Sequence, residues 1–404
     1  MFGNQTNARY LIRDPEMPGS SRRILRGILC GAGSRAGLQK ALGLSPGTIS
    51  EQIAGMVRAG LLVEAAAPSN ASRGRPRIGL QAHPRTFAAA GLDFGSGHLR
   101  GGLFSADGQV LGWLEISRVW NHAEEALGAA KLMLPRLLAA LPLGTPLLGL
   151  GIADPGMVET GSGRSLGAVH IPGWQDFRLA DVMTVCGPRV VVRPSAQMKG
   201  LAEMLHGGLR GVRNGVFLDL GMGVGAALML EGHVLGGHRG LAGEFGHVCV
   251  NPSGLDCTCG GRGCLETECS GRAIASAAAK ARTDGTLLGN SLLLRGRSPD
   301  AQAVARAALA GDPLARKIYG RAGRMLGIAL GGLIKLLDPE YVIVGGGLSA
   351  AGDLLMDPAK EVLRSQALCA SAGLPAIRFS PLSLTQVGAL GAASSVMLNY
   401  LEAA

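Results

Sequence analysis

The chain has 404 residues, of which 47% are apolar, and a formal net charge of +10. This length and apolar content suffice for two or three domains with packed cores, and they exclude a disordered protein. The first twenty residues contain no apolar signal segment, and Pro142 and Pro146 interrupt the longest apolar tract. We therefore expect neither a secretory signal nor a membrane span, and a cytoplasmic location in a bacterium. In a reducing compartment, clustered cysteines are more often metal ligands than disulfides.

The positive charge is concentrated near the N-terminus. Residues 1–85 contain twelve Lys and Arg against four acidic residues, a charge of +8, so the remaining 319 residues share only +2. A small basic module on a nearly neutral body is typical of a nucleic-acid-binding domain joined to a second function. The alternative is an ordinary solvated basic surface.

Three short helices are predicted in this module. Ser34 and Ser45 stand where helices begin, Pro46 suits a first helical turn, and Gly43 suits a helix end. The apolar face of the first helix would contain Ile24, Leu25, Ile28 and Leu29, and that of the second Leu38 and Leu42. The third helix would bury Ile49, Ile53, Met56 and Val57. This order predicts a helix-turn-helix, whose last helix enters the DNA major groove by its N-terminal end.

The candidate DNA contacts lie on the third helix and in the arginine-rich stretch that follows it. Its outward positions include Gly47, Thr48, Glu51, Gln52 and Arg58, with Thr48 and Gln52 suited to base edges and Arg58 to a phosphate. Ser45 caps the same helix. In "NASRGRPRIGL", Arg73 and Arg75 form a slender strip suited to a minor groove beside a wing. The alternative for this strip is a flexible charged linker.

Two glycine-rich corners mark the rest of the chain. The first contains Asp93, Gly95 and Gly97 between two predicted strands, and a similar unit recurs at "DLGMGVG" with Gly221 and Gly223. The repeat predicts two related α/β lobes. Such corners let backbone N–H groups approach phosphates, although each alone is equally compatible with a tight turn.

The order "SRAGLQKALGLSPGTIS…GRPRIGL…GLDFGSGH…PGMV…IPGW…GEFGHV…CTCGGRGCLE…VIVGGG" resembles the ROK family of sugar-responsive repressors and sugar kinases. The resemblance implies an α/β fold: a winged helix-turn-helix over residues 1–84 and a two-lobed actin-like, ribonuclease-H-like body over 85–404. Lobe 1 would span about 85–190 plus a C-terminal helix, and lobe 2 about 191–385. Vestigial phosphate contacts would be Asp93, Gly95, Gly97, Gly221, Gly223, Gly345 and Gly346.

The resemblance also implies a zinc site formed by His247, Cys257, Cys259 and Cys264, with Cys249 and Cys269 left over. Four protein ligands leave no open coordination position, so this zinc would be structural rather than catalytic. The alternative is a group of free buried thiols.

A sugar pocket is implied beside this zinc, formed by Glu244, Glu266, His247 and His170. Carboxylates discriminate well among sugar hydroxyls because each accepts two hydrogen bonds. Ordinary surface carboxylates are the alternative. His170 stands where many members have Asn.

The kinase part of the family pattern is not met. Counting back from Glu203, the sugar-binding Asn falls on Pro194 and the catalytic Asp on Ser195, and Gly97 replaces a phosphate-facing Thr. A shifted register does not supply an acid, since residues 190–197 contain none. Loss of a positioned general base removes about 10²–10⁴ of rate, so we predict that the protein is not an enzyme.

We therefore predict a DNA-binding repressor of carbohydrate-metabolism genes, acting as a homodimer or homotetramer on operator DNA and controlled by a sugar or sugar derivative. One alternative is an ATP-dependent sugar kinase with an accessory DNA-binding head. Another is a repressor whose body only dimerises.

Overall fold

The computed structural model describes residues 15–66, 78–159, 161–183, 189–284, 291–294, 299–366, 371 and 373–403. The chain forms two compact units. Unit 1 comprises Met1–Gly211, Gly236–Leu241 and Thr385–Ala404, and unit 2 comprises Val212–Leu235 and Ala242–Leu384. Within the described ranges, no helix is long and apolar enough to cross a membrane.

Unit 1 begins with three helices and a strand pair. The helices are α1 (Gly19–Leu29), α2 (Arg35–Leu42) and α3 (Pro46–Arg58), and β1 (Leu62–Ala66) pairs antiparallel with β2 (Ile78–Ala82). The side chains of Ser34 and Ser45 cap α2 and α3 as predicted. Gly43 ends α2 with φ 65°, a left-handed conformation that glycine adopts without steric cost.

Two side chains of α3 do not lie where the sequence interpretation placed them. Val57 was predicted to be buried but is 36% exposed. The inner stripe runs through Ile49, Ile53 and Met56, and Val57 lies on one edge of it, about 40° beyond Ile53. Gln52 was predicted to face outward but is half-buried, since it lies four residues before Met56, on the opposite edge of that stripe.

A five-stranded sheet follows in unit 1. Its order is β10-β6-β3-β4-β5, in which β3, β6 and β10 are parallel. The strands are β3 (Ala88–Gly95), β4 (His98–Ser105), β5 (Val110–Ile116), β6 (Leu147–Asp154) and β10 (Val190–Pro194). A smaller sheet contains β7 (Met157–Val158), β8 (Arg164–Gly167) and β9 (Phe177–Arg178).

The described residues of unit 1 also form the helices α4 (Ala123–Leu138), α5 (Leu179–Val182), α6 (Ser195–His206) and the C-terminal α12 (Val387–Glu402). Strands β3 and β6 are buried along their length, as expected for strands covered on both faces. The division between units falls after Gly211 rather than near residue 190, because β10 pairs with β6 and α6 packs against α12. The predicted start of lobe 2, at about residue 191, lies within unit 1.

Unit 2 contains a second five-stranded sheet, of order β13-β12-β11-β14-β15. The strands are β11 (Gly215–Leu220), β12 (Val224–Leu230), β13 (His233–Val234), β14 (Tyr341–Gly345) and β15 (Ala376–Phe379). The helices are α7 (Leu265–Cys269), α8 (Gly271–Thr283), α9 (Ala301–Leu309), α10 (Pro313–Leu337) and α11 (Asp353–Ser365). Short 3-10 turns lie at Phe245–His247, Leu292–Leu294 and Gly347–Ala351. As predicted, both units have an antiparallel strand pair at a glycine corner.

Candidate functional site

A glycine-rich loop between the 3-10 turn at Phe245–His247 and helix α7 carries the candidate metal ligands. Short backbone hydrogen bonds close it, including Cys257 N–H to the Gly261 carbonyl and Gly263 N–H to the Leu255 carbonyl, both at 2.8 Å. Gly263 has φ 67°, and a Cβ there would collide with the Asn251 carbonyl. The loop thus folds tightly where only glycine fits.

The four predicted ligands, His247, Cys257, Cys259 and Cys264, come together. Their ligand atoms all lie within 4.8 Å of one another. Cys259 Sγ is 3.7 Å from Cys264 Sγ, and Cys257 Sγ is 3.6 Å from His247 Nδ1. A tetrahedral site with zinc-like bonds of about 2.3 Å to sulfur and 2.0–2.1 Å to nitrogen has edges of about 3.8 Å and 3.5 Å. The group therefore fits one tetrahedral metal ion.

The thiols of this group differ in their readiness to ionise. A backbone hydrogen bond with Gly261 is the main cause that lowers the pKa of Cys259. Burial, followed by hydrogen bonds with Cys259 and Cys257, raises the pKa of Cys264 to about 12. A metal ion that binds all three thiolates must therefore displace protons, so its affinity rises with pH. The leftover Cys249 is exposed and Cys269 is buried, and neither belongs to the group.

His247 also faces Glu244. Its Nδ1 is directed towards the thiols, whereas its Nε2 lies 3.8 Å from a Glu244 carboxylate oxygen. A carboxylate on the second nitrogen of a metal-ligating histidine fixes the ring orientation in many metal sites. Burial raises the pKa of Glu244 above its ordinary value, against the opposing effect of His247.

Glu266, the other carboxylate predicted to bind a sugar, is hydrogen-bonded within unit 2 on both of its oxygens. One oxygen accepts the Val224 N–H at 2.9 Å, and the other lies 2.9 Å from the Arg272 guanidinium. Its side chain is only 12% exposed. The sequence placed this acid beside the cysteines, but it could not reveal that β12 and α8 supply its partners.

Glu268, which the sequence interpretation did not select, anchors the cysteine loop. Its carboxylate receives two hydrogen bonds of 2.8 Å from Arg321 of α10 and one from the Asn251 amide. Paired Arg–carboxylate bonds fix geometry well. The metal-ligand loop is thereby tied to the longest helix of unit 2.

The glycine corner of unit 2 contains Gly221, Gly223, Gly345 and Gly346. Gly346 has φ 80°, and a Cβ there would collide with the Leu220 carbonyl. Met222, between the first two glycines, is 57% exposed. A thioether donates no hydrogen bond, so the side chain at the tip of this corner offers nothing to a phosphate oxygen.

The glycine corner of unit 1 is occupied by its own side chains. Asp93, which is buried, has one oxygen 3.4 Å from His98 Nε2 and the other 3.4 Å from Ser195 Oγ. The His98 ring lies over Gly95, and Trp120 Nε1 donates to the Gly95 carbonyl at 3.0 Å. Burial raises the pKa of Asp93, but hydrogen bonding to His98 and the charge of Lys199 outweigh it and leave the pKa below its ordinary value.

Asp154, at the end of β6, is a buried acid that sequence reasoning missed. It accepts the Gly156 N–H at 2.7 Å and the Trp174 Nε1–H at 3.2 Å. Burial raises its pKa to about 6 despite these bonds. The available signal was an acid directly after the apolar strand "LLGLGIA". Through Trp174, Asp154 holds the loop that contains His170. The His170 side chain is half-buried.

The predicted ligand residues fall in both units: Glu244, His247 and Glu266 in unit 2, and His170 in unit 1. Of the predicted DNA contacts, Ser45, Gly47, Thr48 and Arg58 are exposed on α3. Ser45 Oγ and Thr48 Oγ1 lie 2.8 Å apart. Arg73 and Arg75 lie outside the described residues.

Comparison with known proteins gives the family. The model of the ROK family matches residues 89–397, three quarters of the chain. The chain belongs to the ROK family. Its relatives include a glucokinase from Thermotoga maritima, 32% identical over 317 residues, which cover 76% of this chain and 96% of the glucokinase. A xylose repressor from Caldicellulosiruptor bescii is 27% identical over 386 residues, or 91% of this chain and 93% of the repressor.

The chain is therefore similar to a kinase and a repressor alike, but the two similarities differ in the share of this chain that they cover. A solved ROK family transcriptional regulator, a homologue of the E. coli MLC protein, has a TM-score of 0.76 and 26% identity. That similarity covers 95% of this chain and 98% of the regulator.

Proposed function

We propose that this ROK protein is a DNA-binding transcriptional regulator, a repressor of carbohydrate genes controlled by a sugar or sugar derivative. The observation that carries the proposal is the share of this chain that each similarity covers. The xylose repressor and the solved regulator match 91% and 95% of the chain, whereas the glucokinase matches 76%. The additional length includes the basic segment whose helices α1–α3 and strands β1–β2 have the order of a winged helix-turn-helix.

The chemistry of the unit 1 corner argues against phosphoryl transfer. Ser195 stands at the position that the family pattern gives to a catalytic acid, and its hydroxyl lies against Asp93. A serine hydroxyl does not accept a proton at neutral pH, and His98 lies over the same corner. Met222 at the unit 2 corner likewise gives a phosphate no hydrogen bond.

We infer that the metal held by His247, Cys257, Cys259 and Cys264 is structural zinc. Thiolate and imidazole ligands in a closed tetrahedron are those that zinc prefers, and they leave no position for an activated water. Its role is to fix His247, whose Nε2 faces the Glu244 carboxylate to which a sugar hydroxyl would bind.

DNA binding is tested first with a duplex selected from a random library by the purified protein. We expect binding to fall steeply with salt. Arg58→Ala should weaken it about equally on selected and unselected duplexes and lower the salt slope by about one unit. Arg136, which is exposed in the last turn of α4 as Arg58 is in α3, provides the matched control. Failure of the wild-type protein to select any sequence would contradict the proposed function.

The second candidate function is sugar phosphorylation, which the glucokinase similarity favours. Incubation with ATP, Mg²⁺ and a panel of hexoses should give no sugar-dependent ADP formation above a protein-free control. Titration calorimetry with the same sugars and their phosphates separately measures effector binding. If any sugar is phosphorylated with turnover, the proposed function is wrong and the protein is a kinase that carries a DNA-binding head.

A further inference from the structure

The three-helix segment is held against the last turn of the C-terminal helix α12. Tyr400 OH donates a hydrogen bond of 2.7 Å to the Pro15 carbonyl. The guanidinium of Arg26, on α1, lies 3.1 Å from a Glu402 carboxylate oxygen. The chain's final helix therefore contacts both the approach to α1 and α1 itself.

The ring of Tyr400 is the centre of this contact. It is buried, with the Arg22 guanidinium 4.5 Å and the Arg189 guanidinium 5.7 Å from its centroid. Phe87, just before β3, meets it edge-on at 6.0 Å. Arg22 Nε is buried and has no hydrogen-bond partner in the described part of the chain. The cation–π contact with Tyr400 holds this guanidinium against the last turn of α12.

A second contact holds the other end of α1. The Arg210 guanidinium donates to the Ile28 carbonyl at 3.3 Å. Gly31 has φ 105°, and a Cβ there would lie 3.0 Å from the backbone of Gly211. With contacts near both ends, α1 has a fixed direction relative to α12.

Helix α12 is itself seated on backbone rather than on flexible side chains. A Cβ on Gly91 of β3 would collide with the Ala389 carbonyl, and one on Gly151 of β6 with the Ala392 carbonyl. Gly391 makes the same close approach to the Met198 carbonyl of α6. Such contacts leave little room for sliding, so whatever α12 holds is fixed to the unit 1 sheet.

We propose that Tyr400 and Glu402 determine the spacing of the two DNA half-sites that a dimer accepts, although neither residue lies on the recognition helix. The proposal rests on the proposed function. Two recognition helices in a symmetric dimer must match half-sites about 34 Å, or one helical turn, apart. A shift of one base pair moves a half-site by about 3.4 Å and turns it by about 36°, so a fixed α1 favours one spacing.

The test uses duplexes that carry two copies of the selected half-site, with their separation varied in steps of one base pair. We expect the wild-type protein to bind one separation at least roughly tenfold more tightly than separations two base pairs away. Tyr400→Leu removes the ring and the hydroxyl and keeps an apolar side chain. It should reduce this preference to within about threefold and speed hydrogen exchange in Gly19–Leu29. If that variant does not fold, Tyr400→Phe combined with Glu402→Gln replaces it.

Tyr341→Leu is the matched control, because Tyr341 of unit 2 also has an arginine, Arg378, 4.6 Å from its ring centroid. It should leave the spacing profile and the exchange of α1 unchanged. A wild-type protein that binds no selected DNA overturns the proposed function. If instead the wild-type protein binds with a sharp optimum in half-site separation, and the Tyr400 variants show the same dependence of affinity on separation, this inference alone is overturned.

Discussion

Two groups of unit 1, the buried Asp154 and the half-buried His206, should make opposite contributions to stability as pH falls. The pKa of Asp154 is raised to about 6 from an ordinary 3.8, chiefly by burial. The pKa of His206, which lies 3.0 Å from Ser394 Oγ, is lowered to about 4 from 6.5, again chiefly by burial. The folded protein therefore holds a proton on Asp154 where the unfolded chain does not, and lacks one on His206 where the unfolded chain has it.

The signs follow from proton linkage. Stability from Asp154 is fully present below pH 3.8 and is lost as pH rises through about 6. Stability from His206 is present above pH 6.5 and is lost as pH falls through about 4. At about 1.36 kcal/mol per pKa unit, each complete shift is worth about 3 kcal/mol, of which about 2 kcal/mol falls between pH 7 and 4.5. The two contributions nearly cancel in the wild-type protein.

Single substitutions should expose each contribution. On acidification from pH 7 to 4.5, Asp154→Asn should lose about 2 kcal/mol relative to wild type, and His206→Gln should gain about 2 kcal/mol. The asparagine oxygen still accepts the Gly156 N–H, and Trp174 still donates to Ser165 Oγ at 3.1 Å. Any cost of the substitution itself is independent of pH and drops out of the comparison.

Denaturant unfolding followed by tryptophan fluorescence is the assay, because the three tryptophans, Trp113, Trp120 and Trp174, all belong to unit 1. The fluorescence therefore reports the unfolding of unit 1, and not the unfolding of unit 2, which contains Glu244 and the clustered thiols. Asp93 does not contribute in this window, since its pKa lies below 3.8. Equal pH slopes for wild type, both single variants and the double variant would refute the reasoning.

Three further predictions concern unit 2. Cys259→Ser should lower bound zinc, measured by atomic emission, and the thermal stability of unit 2, whereas Cys249→Ser should leave both unchanged; equal zinc in both variants would contradict the ligand assignment. Gly346→Ala should destabilise the protein by at least about 1–3 kcal/mol, because φ is 80° and the Cβ collides with a carbonyl, while Gly347→Ala, with open space, should cost little. Glu244→Gln should abolish calorimetric binding of whichever sugar the wild type binds, without loss of zinc; undiminished affinity would exclude Glu244 from the pocket.

The sequence predicted the helix caps and the clustering of the four candidate metal ligands. Helix caps and ends depend on neighbouring residues, so Ser34, Gly43 and Ser45 could be assigned by inspection. The His247 and cysteine spacing matched a family signature in which one loop supplies every ligand. In each case the physical requirement and the residues that satisfy it lie close together in the chain.

Features that depend on distant partners were not predictable in this way. A helical pattern gives directions around α3 but not the extent of its neighbours, which is why Gln52 and Val57 were misplaced. Glu266 was identified as a sugar ligand, yet its partners come from Val224, on another strand, and from Arg272. No local pattern in the sequence marks Tyr400, because its contacts with Arg22 and Pro15 span almost the whole chain.

Asp93 illustrates why a retained acid is weak evidence for a retained reaction. Its carboxylate faces His98 on one side and Ser195 on the other, and Gly388, in the first turn of α12, lies so close that a Cβ would strike it. A carboxylate at the positive end of a helix is stabilised by the backbone dipoles, independently of any metal or nucleotide. The fold therefore supplies its own reason to keep this acid. Ser195 is the better guide to whether the reaction is retained. Its hydroxyl serves the fold by contacting Asp93, but it cannot accept a proton from a substrate at neutral pH.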